Sequence, residues 1–166
     1  MKRVAIITSS DSGYRGERED VSGKVIREIV EAGGYRVTSA LLLPDERQML
    51  SDAMAAIADN GQAELILTTG GTGFSPRDCM PEATRAVIER EVPGIPEAMR
   101  AFSAQFTKRA MLSRAAAGIR KSTLIINLPG SPKAVKECLE FILPELGHGI
   151  EILTGEASNC ARKMEG

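Results

Sequence analysis

Short apolar runs recur along the chain and predict the strands of a buried sheet. They lie at residues 3–8, 35–43, 65–68 and 122–128. The runs at 3–8, 65–68 and 122–128 are of the length and composition typical of buried strands, and 35–43 is predicted as a further strand. The spacing between the runs leaves room for a helix after each strand, so the pattern indicates alternating strands and helices.

Between these runs, apolar residues follow helical spacing. The first predicted helix begins near Asp20 or Ser22, either of which is a suitable N-cap, and ends at the glycine pair 33–34. Proline or glycine likewise marks the ends of the other predicted helices and strands. Two further helices are predicted to begin near Asp45 and Pro81, and two short ones span residues 96–106 and 110–116. Ser131 is the predicted N-cap of a last helix.

This order predicts an α/β fold with three layers, in which helices cover both faces of a mostly parallel central sheet. We find no repeat, linker or low-complexity stretch in residues 1–166, so the sequence favours one domain. Ligands in such folds bind beyond the carboxyl ends of the strands. The loops expected at that edge are therefore the first place to look for chemistry.

Composition narrows the function classes. The net charge is −1, aromatic residues make up 4% of the chain and tryptophan is absent, which argues against binding to nucleic acid. The three cysteines, Cys79, Cys138 and Cys160, have no CxxC spacing, as expected of a reduced cytoplasmic protein. The N-terminal apolar run 4–7 is too short for a signal peptide or a membrane span.

A glycine-rich loop follows the third apolar run directly. Its residues 69–73 read TGGTG, and glycine lets the backbone approach a ligand closely. Pro76 stands where a dinucleotide-binding loop has its third glycine, and no lysine follows as in a Walker A loop. The pattern favours an anion or nucleotide site, and the alternative is a tight turn that binds nothing.

Two aspartates follow the ends of predicted strands. Asp45 comes after the second strand, and Asp78 lies in the loop after the third. Two carboxylates near a phosphate loop suit Mg²⁺, which takes one or two carboxylates together with substrate phosphates. The alternative is that Asp45 starts a helix and Asp78 caps a loop.

Further polar residues are expected near the same edge. Ser9 and Asp11 directly follow the first strand, where they either face the crevice or cap a turn. Arg114, beside Ser113, and the pair 120–121 are cations that either receive an anionic substrate or lie on the solvated surface. The single histidine, His148, is expected to be structural beside a helix break, and a zinc site is not expected.

Taken together, these motifs resemble those of the molybdenum cofactor biosynthesis proteins of the MogA/MoaB type. The resemblance spans almost the whole chain and rests on several segments in combination. These are TGGTG at 69–73, PRD at 76–78, PEAT at 81–84, SR at 113–114, Gly118 and PGSP at 129–132.

The resemblance implies a molybdopterin adenylyltransferase that is a homotrimer and that meets other proteins of molybdenum cofactor biosynthesis. In this reaction the molybdopterin phosphate attacks the α-phosphorus of MgATP, which gives adenylylated molybdopterin and pyrophosphate. Phosphoryl-type transfer relies on positioning and charge neutralisation, so no catalytic histidine or cysteine is required.

The resemblance also implies roles for individual residues. Asp45 and Asp78 correspond to two essential aspartates, which would hold Mg²⁺. Ser113 resembles a pterin-side binding residue, and Arg114 is expected among the residues that bind substrate or nucleotide. Residues 12–19 are assigned no role. The nucleotide is expected to lie among the following residues: Ser9, Asp11, Gly70, Gly71, Thr72, Gly73, Pro129, Gly130 and Ser131.

Two other functions remain open from the sequence. The first is a non-catalytic molybdopterin-binding or scaffold protein of the same family. The second is a nucleotide-binding regulator that takes another anionic ligand. Retention of both Asp45 and Asp78 favours the enzyme.

Overall fold

The computed structural model describes residues 1–157. Helices and strands alternate through this part of the chain, as the hydrophobic pattern predicts. The strands are β1 Arg3–Ser9, β2 Arg36–Leu43, β3 Leu65–Thr69, β4 Arg90–Glu91, β5 Ala117–Arg120 and β6 Thr123–Leu128. The helices are α1 Asp11–Tyr14, α2 Val21–Ala32, α3 Arg47–Asp59, α4 Met80–Val87, α5 Gly94–Ser103 and α6 Pro132–Thr154, with a 3₁₀ helix at Lys108–Leu112 between α5 and β5.

One sheet of six strands has the order β2-β1-β3-β6-β5-β4. The first four strands in this order are parallel, and β5 and β4 extend the sheet in antiparallel fashion. The carboxyl ends of β1, β2, β3 and β6 therefore share one edge of the sheet. Because the chain runs from β1 outward to β2 and then back past β1 to β3, the order reverses between β1 and β3, where ligands bind in such folds.

Two hydrophobic clusters cover the two faces of the sheet, which confirms the three-layer α/β prediction. On one face, α2, α5 and α6 pack through residues such as Ile26, Met99 and Leu139. On the other, α3 and α4 pack through Leu50, Met54 and other buried residues. The strands β1, β3 and β6 are buried almost throughout because both of their faces are covered.

Side-chain caps fix the starts of two helices at the predicted positions. The Asp20 carboxylate accepts a hydrogen bond from the Gly23 amide at 2.9 Å, and the Ser131 hydroxyl accepts one from the Ala134 amide at 3.3 Å. Each cap satisfies one amide that has no partner inside its helix. Both helix starts point toward the carboxyl edge of the sheet.

The prediction of a helix at residues 110–116 is wrong. The chain forms the 3₁₀ helix up to Leu112, continues in extended form and enters β5 at Ala117. The alanine-rich sequence favours a helix locally, but its small residues serve packing instead. The buried Asn127 side chain accepts the Ala116 amide at 3.1 Å, which holds this segment beside β6.

Three smaller features also differ from the predictions. The first loop contains the short helix α1, and α4 ends at Val87, before the two-residue strand β4. The helix break expected beside His148 is wrong, because α6 continues to Thr154 and His148 lies on its exposed side. Cys160 lies outside the described residues. No helix within residues 1–157 has the length and apolar character needed to cross a membrane.

We predict that Gly118→Ala destabilises the fold. A Cβ there would lie 2.7 Å from the Arg90 carbonyl oxygen, so β4 and β5 would have to separate. The expected loss in the free energy of unfolding is about 1–3 kcal/mol. Urea denaturation measures this change.

The matched control is Gly149→Ala, inside α6, where a Cβ meets no atom within 4 Å. This change is expected to stabilise by about 0.5–1 kcal/mol, because alanine loses less entropy than glycine in a helix. Equal effects of the two substitutions would contradict the packing argument.

Candidate functional site

The carboxyl ends of β1, β3 and β6 meet through direct backbone contact at Gly70. This residue has φ = 88°, and a Cβ on it would collide with the carbonyl oxygen of Ser9. On its other side, a Cβ on Gly130 would lie 3.6 Å from the Gly70 Cα. Glycine is therefore required at position 70, both by backbone conformation and by space.

Hydroxyl groups join the same three loops. The Thr69 hydroxyl donates to the Pro129 carbonyl at 2.6 Å, and the Ser22 hydroxyl donates to the Gly130 carbonyl at 2.7 Å. The Gly71 carbonyl accepts the Met80 amide at 3.1 Å, which ties the glycine loop to the start of α4. These bonds hold the loops after β3 and β6 in fixed relative positions.

A polar pocket opens on the β1 side of Gly70. It has a volume of about 410 Å³, and the amino ends of α2 and α6 contribute to its wall. Helix amino ends carry unpaired amides and partial positive charge, so they favour anions. Four of the predicted site residues line this polar pocket: Ser9, Gly70, Gly130 and Ser131.

An apolar pocket lies on the other side of the glycine loop. Its volume is about 290 Å³, and α5, the 3₁₀ helix and the start of α6 enclose it with mainly apolar atoms. Met99, Leu112 and Ala115 contribute to its walls, with Arg100 and Arg109 among the lining cations. Four other predicted site residues line the apolar pocket: Thr72, Gly73, Ser113 and Pro129.

Asp45 is held by the first loop. Its carboxylate accepts the Ser9 hydroxyl at 2.5 Å and the Asp11 amide at 3.1 Å. In return, the Asp11 carboxylate accepts the Asp45 amide at 2.9 Å. The two aspartates predicted in separate loops are thus reciprocal hydrogen-bond partners, and Ser9 connects Asp45 to the wall of the polar pocket.

Arg77, on the solvent-exposed side, binds two of the carboxylates near Asp45. Its guanidinium donates two hydrogen bonds to the Asp11 carboxylate, at 3.0 and 3.1 Å, and one to the Glu46 carboxylate at 3.0 Å. The bond from Arg77 lowers the pKa of Asp11, and the Asp45 amide lowers it further. The same two carboxylates raise the pKa of Arg77, so the group is ionised under all ordinary conditions.

Asp78 is occupied within its own loop. One carboxylate oxygen accepts the Ser75 amide at 2.9 Å, as the loop-cap alternative expects. Within residues 1–157 its other oxygen, Oδ1, accepts no hydrogen bond. Burial raises the pKa of the neighbouring Cys79 thiol, and the charge of the Asp45 carboxylate raises it further.

Arg114 holds the glycine loop and the residues after it through hydrogen bonds to their carbonyl groups. Its guanidinium donates to the Gly73 carbonyl at 2.8 Å, to the Asp78 carbonyl at 3.1 Å and to the Glu82 carboxylate. Burial raises the pKa of Glu82, but the hydrogen bond and charge of Arg114, together with the Glu82 amide and the charge of Arg85, leave that pKa below its ordinary value. The Arg114 guanidinium therefore braces the loop, and its predicted contact with substrate stays a prediction.

Asn127 is a buried organiser that the sequence analysis missed. Its amide nitrogen donates to the hydroxyls of Thr68 at 3.0 Å and Thr84 at 2.8 Å, and its oxygen accepts the Ala116 amide. It thereby joins β3, α4 and the segment that carries Ser113. The signal that could have identified it is a polar side chain inside the apolar run 122–128, because a buried polar group needs hydrogen-bond partners.

The donor set suits Mg²⁺ more than a transition metal. Within residues 1–157, no group of three or more His, Cys, Asp and Glu side chains is placed to hold a metal on its own. Mg²⁺ does not need one, because it is held by one or two carboxylates with phosphates and waters. Asp45 and Asp78 supply oxygens of this kind, although neither lines either pocket wall. Their role as metal ligands stays a prediction.

We predict that Gly70→Ala costs more stability than Gly34→Ala. Both glycines have nearly the same φ, 88° and 84°, so both alanines carry the left-handed penalty of about 1–2 kcal/mol. Only at position 70 does the new Cβ meet the Ser9 carbonyl, whereas position 34 is open. Urea denaturation of the two variants isolates the cost of separating β1 and β3, and equal losses would exclude a close contact at Gly70.

Comparisons with known proteins agree with this geometry. Residues 5–148 match the family described as "Probable molybdopterin binding domain". The chain is 38% identical over 156 residues to a molybdopterin adenylyltransferase of Helicobacter pylori strain J99, covering 92% of this chain and 88% of that protein. It is 37% identical over 177 residues to the molybdopterin adenylyltransferase of Escherichia coli K12, covering 99% and 86%.

Solved structures extend the likeness to three dimensions. The molybdopterin biosynthesis enzyme MoaB from Thermus thermophilus superposes with a TM-score of 0.88 at 49% identity. The match covers 93% of this chain and 98% of that one. The sequence motifs, the αβα layers and the loops at the carboxyl edge thus have one common explanation: the chain belongs to the MogA/MoaB family of molybdenum cofactor biosynthesis proteins.

Proposed function

We propose that this protein is a molybdopterin adenylyltransferase that transfers AMP from MgATP to the phosphate of molybdopterin and releases pyrophosphate. The observation that carries the proposal is the pair of unlike pockets on the two sides of the glycine loop. One is polar and bounded by helix amino ends, and the other is mainly apolar. A transferase that joins two substrates needs adjoining sites of this kind, and the named activity of the relatives supports the same reaction.

The polar pocket suits the nucleotide phosphates. α2 and α6 are helices of 12 and 23 residues, and their first turns bound this pocket. Gly70 and Gly130 let the backbone approach a phosphate without side chains in the way. Backbone amides aimed at developing negative charge stabilise a transition state without reorganising.

The apolar pocket suits the flat ring system of a pterin. Ser113 lies in its wall, and its hydroxyl accepts the Ala115 amide at 3.3 Å, which leaves the hydroxyl proton free to donate to a ligand. Thr72 and Gly73, which belong to the glycine loop, also line this pocket. A pterin placed here would direct its phosphate toward the loop and hence toward the nucleotide.

Asp45 and Asp78 are the residues that would hold Mg²⁺. When bound, this ion would neutralise charge on the triphosphate. The chain itself contributes orientation: Ser9 and Asp11 fix the Asp45 carboxylate, and Arg114 braces the loop that carries Asp78. We also place the protein in the cytoplasm, as a homotrimer that contacts other proteins of molybdenum cofactor biosynthesis.

We predict that Asp45→Asn and Asp78→Asn each reduce pyrophosphate release by at least about 100-fold, because each removes a charge that acts on the transferring group. The assay combines protein, MgATP and molybdopterin. The circular dichroism spectrum is expected to stay unchanged, since both residues lie in loops outside the helices and strands. Turnover retained in both variants would refute their assignment.

The control for this pair is Asp52→Asn, an exposed carboxylate on α3 that contacts Gln48. It is expected to react like the wild type. A wild-type protein that binds molybdopterin but releases no pyrophosphate would instead favour the non-catalytic binding protein. A protein that binds ATP or GTP but no molybdopterin would favour the nucleotide-binding regulator.

We predict that Ser113→Ala weakens molybdopterin binding by about 5- to 10-fold, the loss of one hydrogen bond, and leaves ATP affinity unchanged. Calorimetric titrations with each ligand measure both affinities. The converse result, in which ATP binding falls and molybdopterin binding does not, would mean that the two ligands are assigned to the wrong pockets.

A further inference from the structure

Arg77 links three loops that the chain delivers separately to the carboxyl edge. It lies one residue before Asp78, in the loop between β3 and α4. Its partners Asp11 and Glu46 lie in the loop after β1 and at the start of α3. Asp11 in turn exchanges two hydrogen bonds with Asp45. A continuous chain of contacts therefore runs from the Asp78 loop to the Asp45 carboxylate.

The geometry of this link needs an arginine. The guanidinium uses Nε and Nη2 on the two oxygens of Asp11, and Nη2 also reaches Glu46. Two parallel bonds fix both the distance and the plane of the carboxylate, which the single ammonium group of lysine does not do. Asp11 needs that orientation, because its Oδ1 also accepts the Asp45 amide.

Stability alone does not account for this arrangement. The Arg77 side chain is 54% exposed, and the side chains of its partners Glu46 and Asp11 are 53% and 26% exposed. An ion pair whose cation is this exposed contributes little to the free energy of unfolding. The consequence of the link is local: it sets the position of Asp45 relative to the loop that carries Asp78.

We propose that Arg77 is a positioning residue, which holds Asp45 and Asp78 at the separation required for the metal–nucleotide complex by way of Asp11. This inference rests on the proposed function. Every hydrogen bond of the Arg77 guanidinium within residues 1–157 goes to protein carboxylates, which is what a role through Asp11 requires.

The first measurement is kinetic. Arg77→Ala is expected to lower kcat by about 10- to 100-fold, the usual effect of removing a group that orients a metal ligand. Arg77→Lys is expected to rescue little of the loss. Thermal denaturation is expected to change little in either variant. Full activity in Arg77→Ala, or full rescue by lysine, would overturn the inference.

A double-mutant comparison separates positioning from direct contact. If Arg77 acts through Asp11, then Arg77→Ala combined with Asp11→Asn is no worse than Asp11→Asn alone. If the two losses multiply, Arg77 acts independently and the inference fails. The matched control is Arg120→Ala, which removes another two-bond arginine–aspartate pair, with Asp59, at the opposite edge of the sheet. This control is expected to behave like the wild type.

A binding measurement makes the test independent of turnover. Mn²⁺ serves as the probe, and its binding is followed by electron paramagnetic resonance in the presence of a non-hydrolysable ATP analogue. Arg77→Ala is expected to weaken Mn²⁺ binding by about 10-fold or more. Equal affinity in wild type and variant overturns the inference. If the wild type releases no pyrophosphate but the variant binds Mn²⁺ more weakly, the proposed reaction fails while the positioning role stands.

Discussion

The close backbone contact between Gly70 and Ser9 is the constraint on which the rest of the site depends. Parallel strands deliver their carboxyl ends to one edge, but side chains normally keep the following loops apart. Here β3 ends in a residue without a Cβ and with positive φ, so its loop lies against β1 on one side and against Gly130 on the other. The three loops form one continuous surface because of this contact.

That surface divides the carboxyl edge into two chemically different pockets. On the β1 side, the amino ends of α2 and α6 create a polar pocket suited to phosphates. On the β6 side, α5 and the 3₁₀ helix enclose an apolar one. Two polar networks then fix these loops. Arg77 links the acidic residues near the solvent-exposed surface. Arg114 holds the glycine loop, and the buried Asn127 holds the segment before β5. Arg77 and Arg114 thus both hold loops of the site in position.

Much of the architecture was predictable because local chemistry and burial agree there. Three of the four parallel strands, β1, β3 and β6, are buried apolar runs, the N-caps at Asp20 and Ser131 precede amphipathic helices, and the glycine loop follows a buried strand. Prediction failed at residues 110–116, where alanine favours a helix but Asn127 and the packing of β5 require extended chain. It failed again at His148, because α6 is held through the glycines near residue 148 by its packing on α2.

The sequence by itself determined the layer order, the edge at which ligands are expected and the residue types available there, since these follow from hydrophobic period and turn chemistry. Only the tertiary structure decided which residues meet. Asp11 and Asp45 are 34 positions apart, and Arg77 is 66 positions from Asp11. Their contacts depend on the strand order and on the space left by Gly70, which no local pattern encodes. The structure also decided that the glycine loop divides two pockets, because that depends on helices contributed by distant segments.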